Sequence, residues 1–347
     1  MSIHESELVA LSSAAVRPCP TSAHRTAGPH ARSFCAGLLC RLLSGVLPSA
    51  LLCTGLLACG ASSTPATEPK ARAPLPADIV AKSALPLYAL VGEQKLSEPA
   101  LWEQLARARA ICFGEQHDSP AHHYAQRRAL EELATRSAAE HRSLGVGFEM
   151  FQRPYQAALT GFVGGSLPEG QFLIDSDYKD RWGFDFALYR PLLETAREFS
   201  LEALALNAPK ELTRKIGRSG LAQLDAGEQN QLPELDLDNA EHKAYFDAAM
   251  AEHPMPSGGP KLADMYAAQV VWDETMAEGT AAWLTHAGTN AQFIVFAGSG
   301  HCHKSAIPAR VTRRLQQPML SVTPVLASEL SKFKDRSRYD WLVVLED

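Results

Sequence analysis

Six short apolar runs, at residues 110–114, 144–150, 202–206, 292–297, 320–326 and 341–345, recur along the C-terminal part of this chain. Between them lie longer segments with helical patterning, at 120–140, 186–199, 209–216, 240–252, 261–286 and 305–315, with another at 98–109 preceding the first run. A strand that is apolar on both faces needs a layer of helices on each side, so this alternation predicts an α/β fold: three layers, with a mostly parallel central sheet flanked by helices. The stretch 332–339 is short for a helical crossover, which predicts that the last strand or two pair antiparallel. The irregular segment at about 217–265, with Pro233, Pro254 and Pro256, is expected to be a helical cap inserted over the sheet.

The N-terminal region differs in kind. Residues 42–58 form an apolar run preceded by Arg32 and Arg41 and ending in Leu56-Leu57-Ala58-Cys59-Gly60. That is the shape of a signal peptide ending in a lipobox, with Cys59 as the lipidated residue. Residues 1–58 are therefore expected to be an N-terminal extension and lipoprotein signal peptide. Residues 59–80, rich in Ser, Thr, Pro and Ala, suit a flexible tether, and 81–347 the folded domain. The first 58 residues carry four Arg and two Glu, so the overall charge of −6 becomes −8 for the rest. An acidic body without basic runs argues against nucleic acid as a partner, because phosphate binding needs clustered Lys and Arg. Downstream of Cys59 only Cys112 and Cys302 remain. One lies inside a predicted strand and the other just past the end of another, and two unpaired thiols are expected.

In sheets of this class, ligands bind where the strands release their carboxyl ends. Here those ends read Gly114-Glu115-Gln116-His117, Gly147-Phe148-Glu149-Met150, Leu206-Asn207-Ala208 and Gly298-Ser299-Gly300-His301-Cys302-His303. Glu115, His117, Glu149 and His301 thus converge on one edge. The bland reading of each is a capping or salt-bridging group, with His301 and His303 in a surface turn. The functional reading is general acid–base chemistry, or a metal site on His117, His301 and His303. Ser299 does not sit in a G-x-S-x-G elbow, which argues against a serine hydrolase.

The motifs GEQHDSPAHH (114–123), GFEMFQRPYQ (147–156), Trp182-Gly183-Phe184 with Tyr189-Arg190-Pro191, LNAPKEL (206–212), AQVVWDETMA (268–277) and AGSGH (297–301) come in an order and spacing that resemble the ChaN-like family. These are haem-binding, iron-regulated lipoproteins of the Tiki and erythromycin-esterase-like superfamily. The resemblance implies haem as cofactor, a role in iron or haem acquisition, and a shared site at Glu115, His117, Glu149 and His301. It also implies a tyrosine ligand to haem iron, for which Tyr155, Tyr178 and Tyr189 are candidates beside His253; half-buried packing is their bland reading. The location it implies is the bacterial cell envelope, lipid-anchored at the outer membrane, and it admits a homodimer.

Two other readings stand beside haem binding. In a metal-dependent hydrolase, an esterase or peptidase, His117 with Glu115 and Glu149 would activate water and His301 would complete the catalytic set. In a non-catalytic interaction lipoprotein, the same residues would be structural remnants and an apolar patch would serve a partner.

Overall fold

The computed structural model describes residues 85–251, 259–334 and 336–347. The expected signal peptide, Cys59, the tether and His253 lie outside the described residues.

The chain opens with a hairpin, β1 (Leu87–Val91) and β2 (Gln94–Ser97), and continues into α1 (Glu98–Arg107) and β3 (Ala110–Phe113). Helix α2 (Pro120–Ala139) starts on Ser119, whose hydroxyl accepts the His122 N–H, with Pro120 in the first turn where no amide proton is needed. Then follow β4 (Ser143–Gln152), α3 (Gln156–Val163), α4 (Glu169–Asp175), α5 (Tyr178–Arg181) and α6 (Phe186–Glu198). After β5 (Glu202–Asn207) come α7 (Lys210–Ser219), α8 (Ala226–Gln229), α9 (Ala240–Ala251) and the long α10 (Leu262–Ala287). The chain ends with β6 (Ala291–Phe296), α11 (Ser299–Cys302), α12 (Ile307–Leu315), β7 (Met319–Leu326) and β8 (Trp341–Leu345).

The eight strands form one sheet in the order β2-β1-β8-β7-β3-β6-β4-β5. Alternate side chains along each strand feed opposite layers. Ile111, Phe113, Val146, Phe148, Ile294 and Phe296 pack with Leu130 and Leu133 of α2 and Leu192 and Leu193 of α6. On the other face Cys112, Phe293 and Val295 meet Met276, Trp283 and Leu284 of α10 and Val311 of α12. Each of the large apolar side chains stabilises the fold by about 1.5–3 kcal/mol through burial. Gly145 lets α10 approach this closely: a Cβ there would lie 2.6 Å from the Phe293 ring and 2.7 Å from the Trp283 ring. The outer backbone of the edge strand β5 is covered by one side chain, since Gln156 Nε2 donates to Ala203 O and its Oε1 accepts from Ala205 N–H. That arrangement blocks addition of a further strand.

One expectation holds in part and one is overturned. The final strand does pair antiparallel, but with β1 and not with its predecessor: β8 runs parallel to β7. The connection between β7 and β8 is irregular, yet long enough to carry the chain back for a parallel crossover. The hairpin β1–β2 is absent from the sequence reading, although Leu87, Ala89 and Leu96 point inward and Gly92 turns at φ +60°. The two cysteines are likewise not free thiols, because Cys112 and Cys302 form a disulfide across a sequence separation of 190. Strand β3 and the turn after β6 are spatial neighbours because β3 and β6 pair in the sheet. Replacing Cys302 by Ser is expected to cost about 2–5 kcal/mol, the range for a native disulfide, measured by denaturant unfolding of oxidised wild type against the variant.

Candidate functional site

Strands β3, β6 and β4 are adjacent and parallel, so their carboxyl ends open on one edge. The chain leaves β3 through Gly114 into Glu115, whose carbonyl accepts the Ser299 N–H at 2.8 Å and so ties the β3 exit to the β6 exit. Two buried imidazole–carboxylate clusters are built there.

The first cluster centres on Glu115. Its Oε1 lies 2.7 Å from His117 Nδ1 and accepts the Tyr189 hydroxyl at 2.9 Å. His123 Nδ1 stands 3.3 Å from Oε2, and His123 Nε2 is 3.0 Å from the His117 carbonyl. Burial alone would raise the Glu115 pKa, but His123, His117 and Tyr189 outweigh it and hold the carboxyl below its ordinary value. An ionised carboxylate can only accept, so His117 carries its proton on Nδ1. The His117 ring is braced by Trp182 and Phe184, at centroid distances of 4.7 Å and 5.0 Å.

The second cluster centres on His301, which lies between two carboxylates. Its Nδ1 is 2.6 Å from Asp273 Oδ1 and its Nε2 is 3.3 Å from Glu149 Oε1. Glu149 Oε2 accepts the Gly298 N–H at 2.7 Å, and Asn207 Nδ2 donates to the Glu149 carbonyl at 3.0 Å. Burial works against a charged His301, yet Glu149 and Asp273 raise its pKa well above the usual histidine range. Asp273 would itself be pushed up by burial; His301, His242 and Arg310 bring it well below the ordinary carboxylate range instead. His242 Nε2 lies 2.8 Å from Asp273 Oδ2, and Arg310 Nη2 lies 3.2 Å from His242 Nδ1. Glutamate 274, the next residue, is fully buried and collects Arg310, Arg313 and Arg314.

Glu115, His117, Glu149 and His301 therefore do meet at one edge, as two clusters joined through backbone. Of the tyrosines, Tyr189 belongs to the first cluster. Burial, then the Glu115 charge, raises its pKa well above ordinary. Tyr178 is buried against Phe151 and Phe186, and burial raises it in the same direction. Tyr155, in the turn after β4, is half-buried, with the Arg181 guanidinium 5.4 Å from its ring centroid.

The expected metal set of His117, His301 and His303 does not form. His303 turns away, with Nδ1 3.0 Å from Ser305 Oγ and its ring 4.0 Å from that of Tyr245. Among the described residues no group of three or more His, Cys, Asp or Glu is arranged to hold a metal ion. Sequence reasoning missed His123, Asp273 and His242. The available signals were an acidic pair, Asp273-Glu274, amid the apolar positions of a long helix, and a His122-His123 pair that closes the first motif in the opening turn of α2.

Two outcomes follow from these charges. Asp273→Asn is expected to destabilise the fold by about 3–5 kcal/mol, as for a broken buried pair, and to bring the His301 titration down toward the ordinary histidine value by NMR. Burial, then His123, lowers the His122 pKa to about 4, so His122 is neutral in the fold and binds its proton more readily when unfolded. Its contribution is present above about pH 6.5 and lost as pH falls toward 4, worth about 3 kcal/mol in all. Denaturant melts across that window are expected to show the loss, and His122→Gln to reduce it.

Residues 101–311 match the family model described as haem-binding uptake, Tiki superfamily, ChaN. The fold is similar to a structure described as cofacial haem binding to ChaN of Campylobacter jejuni, at 18% identity and a TM-score of 0.59, covering 75% of this chain and 97% of that one. An erythromycin esterase in an open conformation aligns at 12% identity and a TM-score of 0.40, over 76% of this chain and 83% of its own. A MARTX toxin effector domain from Vibrio vulnificus aligns at 15% identity and a TM-score of 0.36, over 72% of this chain and 38% of its own. No curated protein matches the chain by sequence. The family match spans most of the folded part of the chain and takes in both clusters: this protein belongs to the ChaN family of haem-binding uptake proteins in the Tiki superfamily.

Proposed function

We propose that this protein binds haem through Tyr155 and serves haem or iron acquisition from a lipid anchor at Cys59 in the bacterial envelope. Family membership supports the haem-binding role. The observation that carries the choice of residue is accessibility: Tyr178 and Tyr189 are buried, whereas Tyr155 is half-buried at the strand-exit edge. A phenolate ligand needs its oxygen presented outward and its charge tolerated. Burial disfavours the ionised forms of Tyr178 and Tyr189, and Tyr189 already donates to Glu115. Tyr155 has Arg181 over its ring, and Arg181 is itself held by Asp177 and Glu211. Lys210 and Arg214 lie near enough that Arg214 and Arg181, after burial, depress the Lys210 ammonium.

The donor set thus suits haem. Tyr155 would hold the iron, the neighbouring cations would favour the negative charge of phenolate and carboxylate groups, and haem would supply the metal centre to be carried. The Campylobacter jejuni protein binds haem cofacially, and the same mode of binding is proposed for this chain.

The buried pair His117–Glu115 at 2.7 Å favours a second reading, hydrolysis with His117 as the base that activates water. A visible-spectrum haem titration separates the two. On the haem reading, binding saturates with a shifted Soret band. Tyr155→Phe weakens it at least about tenfold, the loss of a metal–ligand bond being worth more than the roughly 1.4 kcal/mol this represents. Tyr178→Phe and His117→Ala leave the spectrum as in wild type. Unchanged binding by Tyr155→Phe overturns the assignment, and ester or peptide turnover abolished by His117→Ala would establish the second reading.

A further inference from the structure

We infer that α9 is a lid, docked over the turn after β6 and able to release without unfolding the sheet. The observations concern how little apolar surface holds it. Only His242, Tyr245, Phe246 and Met250 of this helix are buried. Two of the four make their contacts through polar or ring interactions: His242 reaches Asp273 on α10, and the Tyr245 ring lies 4.0 Å from that of His303. Phe246 and Met250 join Met265, Tyr266 and Val270 of α10 in a small cluster of their own, separate from the two clusters that fill the sheet's faces. An element held this way opens at a lower free energy than the core it covers.

What lies beneath gives the lid its meaning. A Cβ added at Gly300 would come within 3.8 Å of the Tyr245 hydroxyl, so α9 covers the glycine-rich exit that carries Glu149's backbone donor at Gly298 and His301. His303, under Tyr245, is almost fully buried. The Arg338 guanidinium, from the segment before β8, sits over the Tyr245 ring at 4.7 Å from its centroid and braces it. Release of α9 therefore takes His242 from Asp273, which keeps its pair with His301, and uncovers His303 and the turn carrying His301, while α10 and the strands stay in place. This inference does not depend on haem binding.

The test is native-state hydrogen exchange on the whole protein, read beside diethylpyrocarbonate modification of His303 by peptide mass mapping. Amides of α9 are expected to exchange faster than those of α10 by at least about tenfold, the ratio for a 1.4 kcal/mol difference in opening free energy. Tyr245→Ala is expected to speed exchange in α9 and modification of His303 together, leaving α10 protection unchanged. Arg338→Gln, a partly exposed change outside the helix, should do the same by about two- to fivefold, the measure of a surface cation–π contact. Equal protection in α9 and α10 would overturn the lid. So would a variant that speeds exchange in α9 and the strands alike, or one that opens α9 with no gain in His303 modification.

Discussion

A single carboxylate organises the region that distinguishes this molecule from a bare sheet with helices. Asp273 is fully buried midway along α10, where an unpaired charge would be severely unfavourable, and it is satisfied by two imidazoles from different parts of the chain. His301 comes from the exit of β6 and brings Glu149 of β4 with it, while His242 comes from the segment between α7 and α10. The helix register that buries Asp273 therefore also fixes the position of both histidines. Beside it, Glu274 gathers three arginines and the Asp236 N–H, so consecutive acidic residues hold neighbouring parts of the structure.

The fold was largely legible because its strongest signal is local. Runs such as 292–297 are apolar throughout, and such strands fit only the interior of a parallel sheet. Glu115, His117, Glu149 and His301 were legible for a related reason: strand ends in this architecture share an edge, so the residues that follow the runs must meet. What stayed hidden depends on pairing between remote segments. That β8 lies parallel to β7 and antiparallel to β1 is decided by sheet order, on which the residue pattern of 341–345 is silent. The Cys112–Cys302 bond needs β3 beside β6. Asp273 and His242 were missed because each has an ordinary solvent-facing meaning in a helix until the partner is known. Tyr155, Tyr178 and Tyr189 could be ranked only by their surroundings, since burial separates three residues of identical chemistry.

The two clusters and the half-buried Tyr155 describe different physical situations at one edge. Haem is a flat, mainly apolar ligand with carboxylates, and on the reading proposed above the half-buried Tyr155 would meet it beside the Arg181 cation. The interior clusters instead hold ionised groups in fixed hydrogen bonds, which suits orienting a reacting group and equally suits bracing the strand exits. In either role, the disulfide joins the base of one cluster to the other, since Cys112 precedes Glu115 by three residues and Cys302 follows His301 directly.

The strand order also governs how this chain can be made. Both neighbours of β3 are strands β6 and β7, and β6 also separates β3 from β4. Every strand between β1 and β4 in the sheet, β3 excepted, comes from residue 291 onward. A nascent chain that has emerged as far as α10 thus has its early strands but not the ones that must lie between them. The pairs β1–β2 and β4–β5 are complete by then, but joining them and β3 into one sheet has to wait for the last stretch of synthesis, and until then the apolar edges of β3 and β4 stay open to aggregation or to a chaperone. Loss of the final strands β7 and β8 by premature termination would leave the β1–β2 hairpin without a sheet to join.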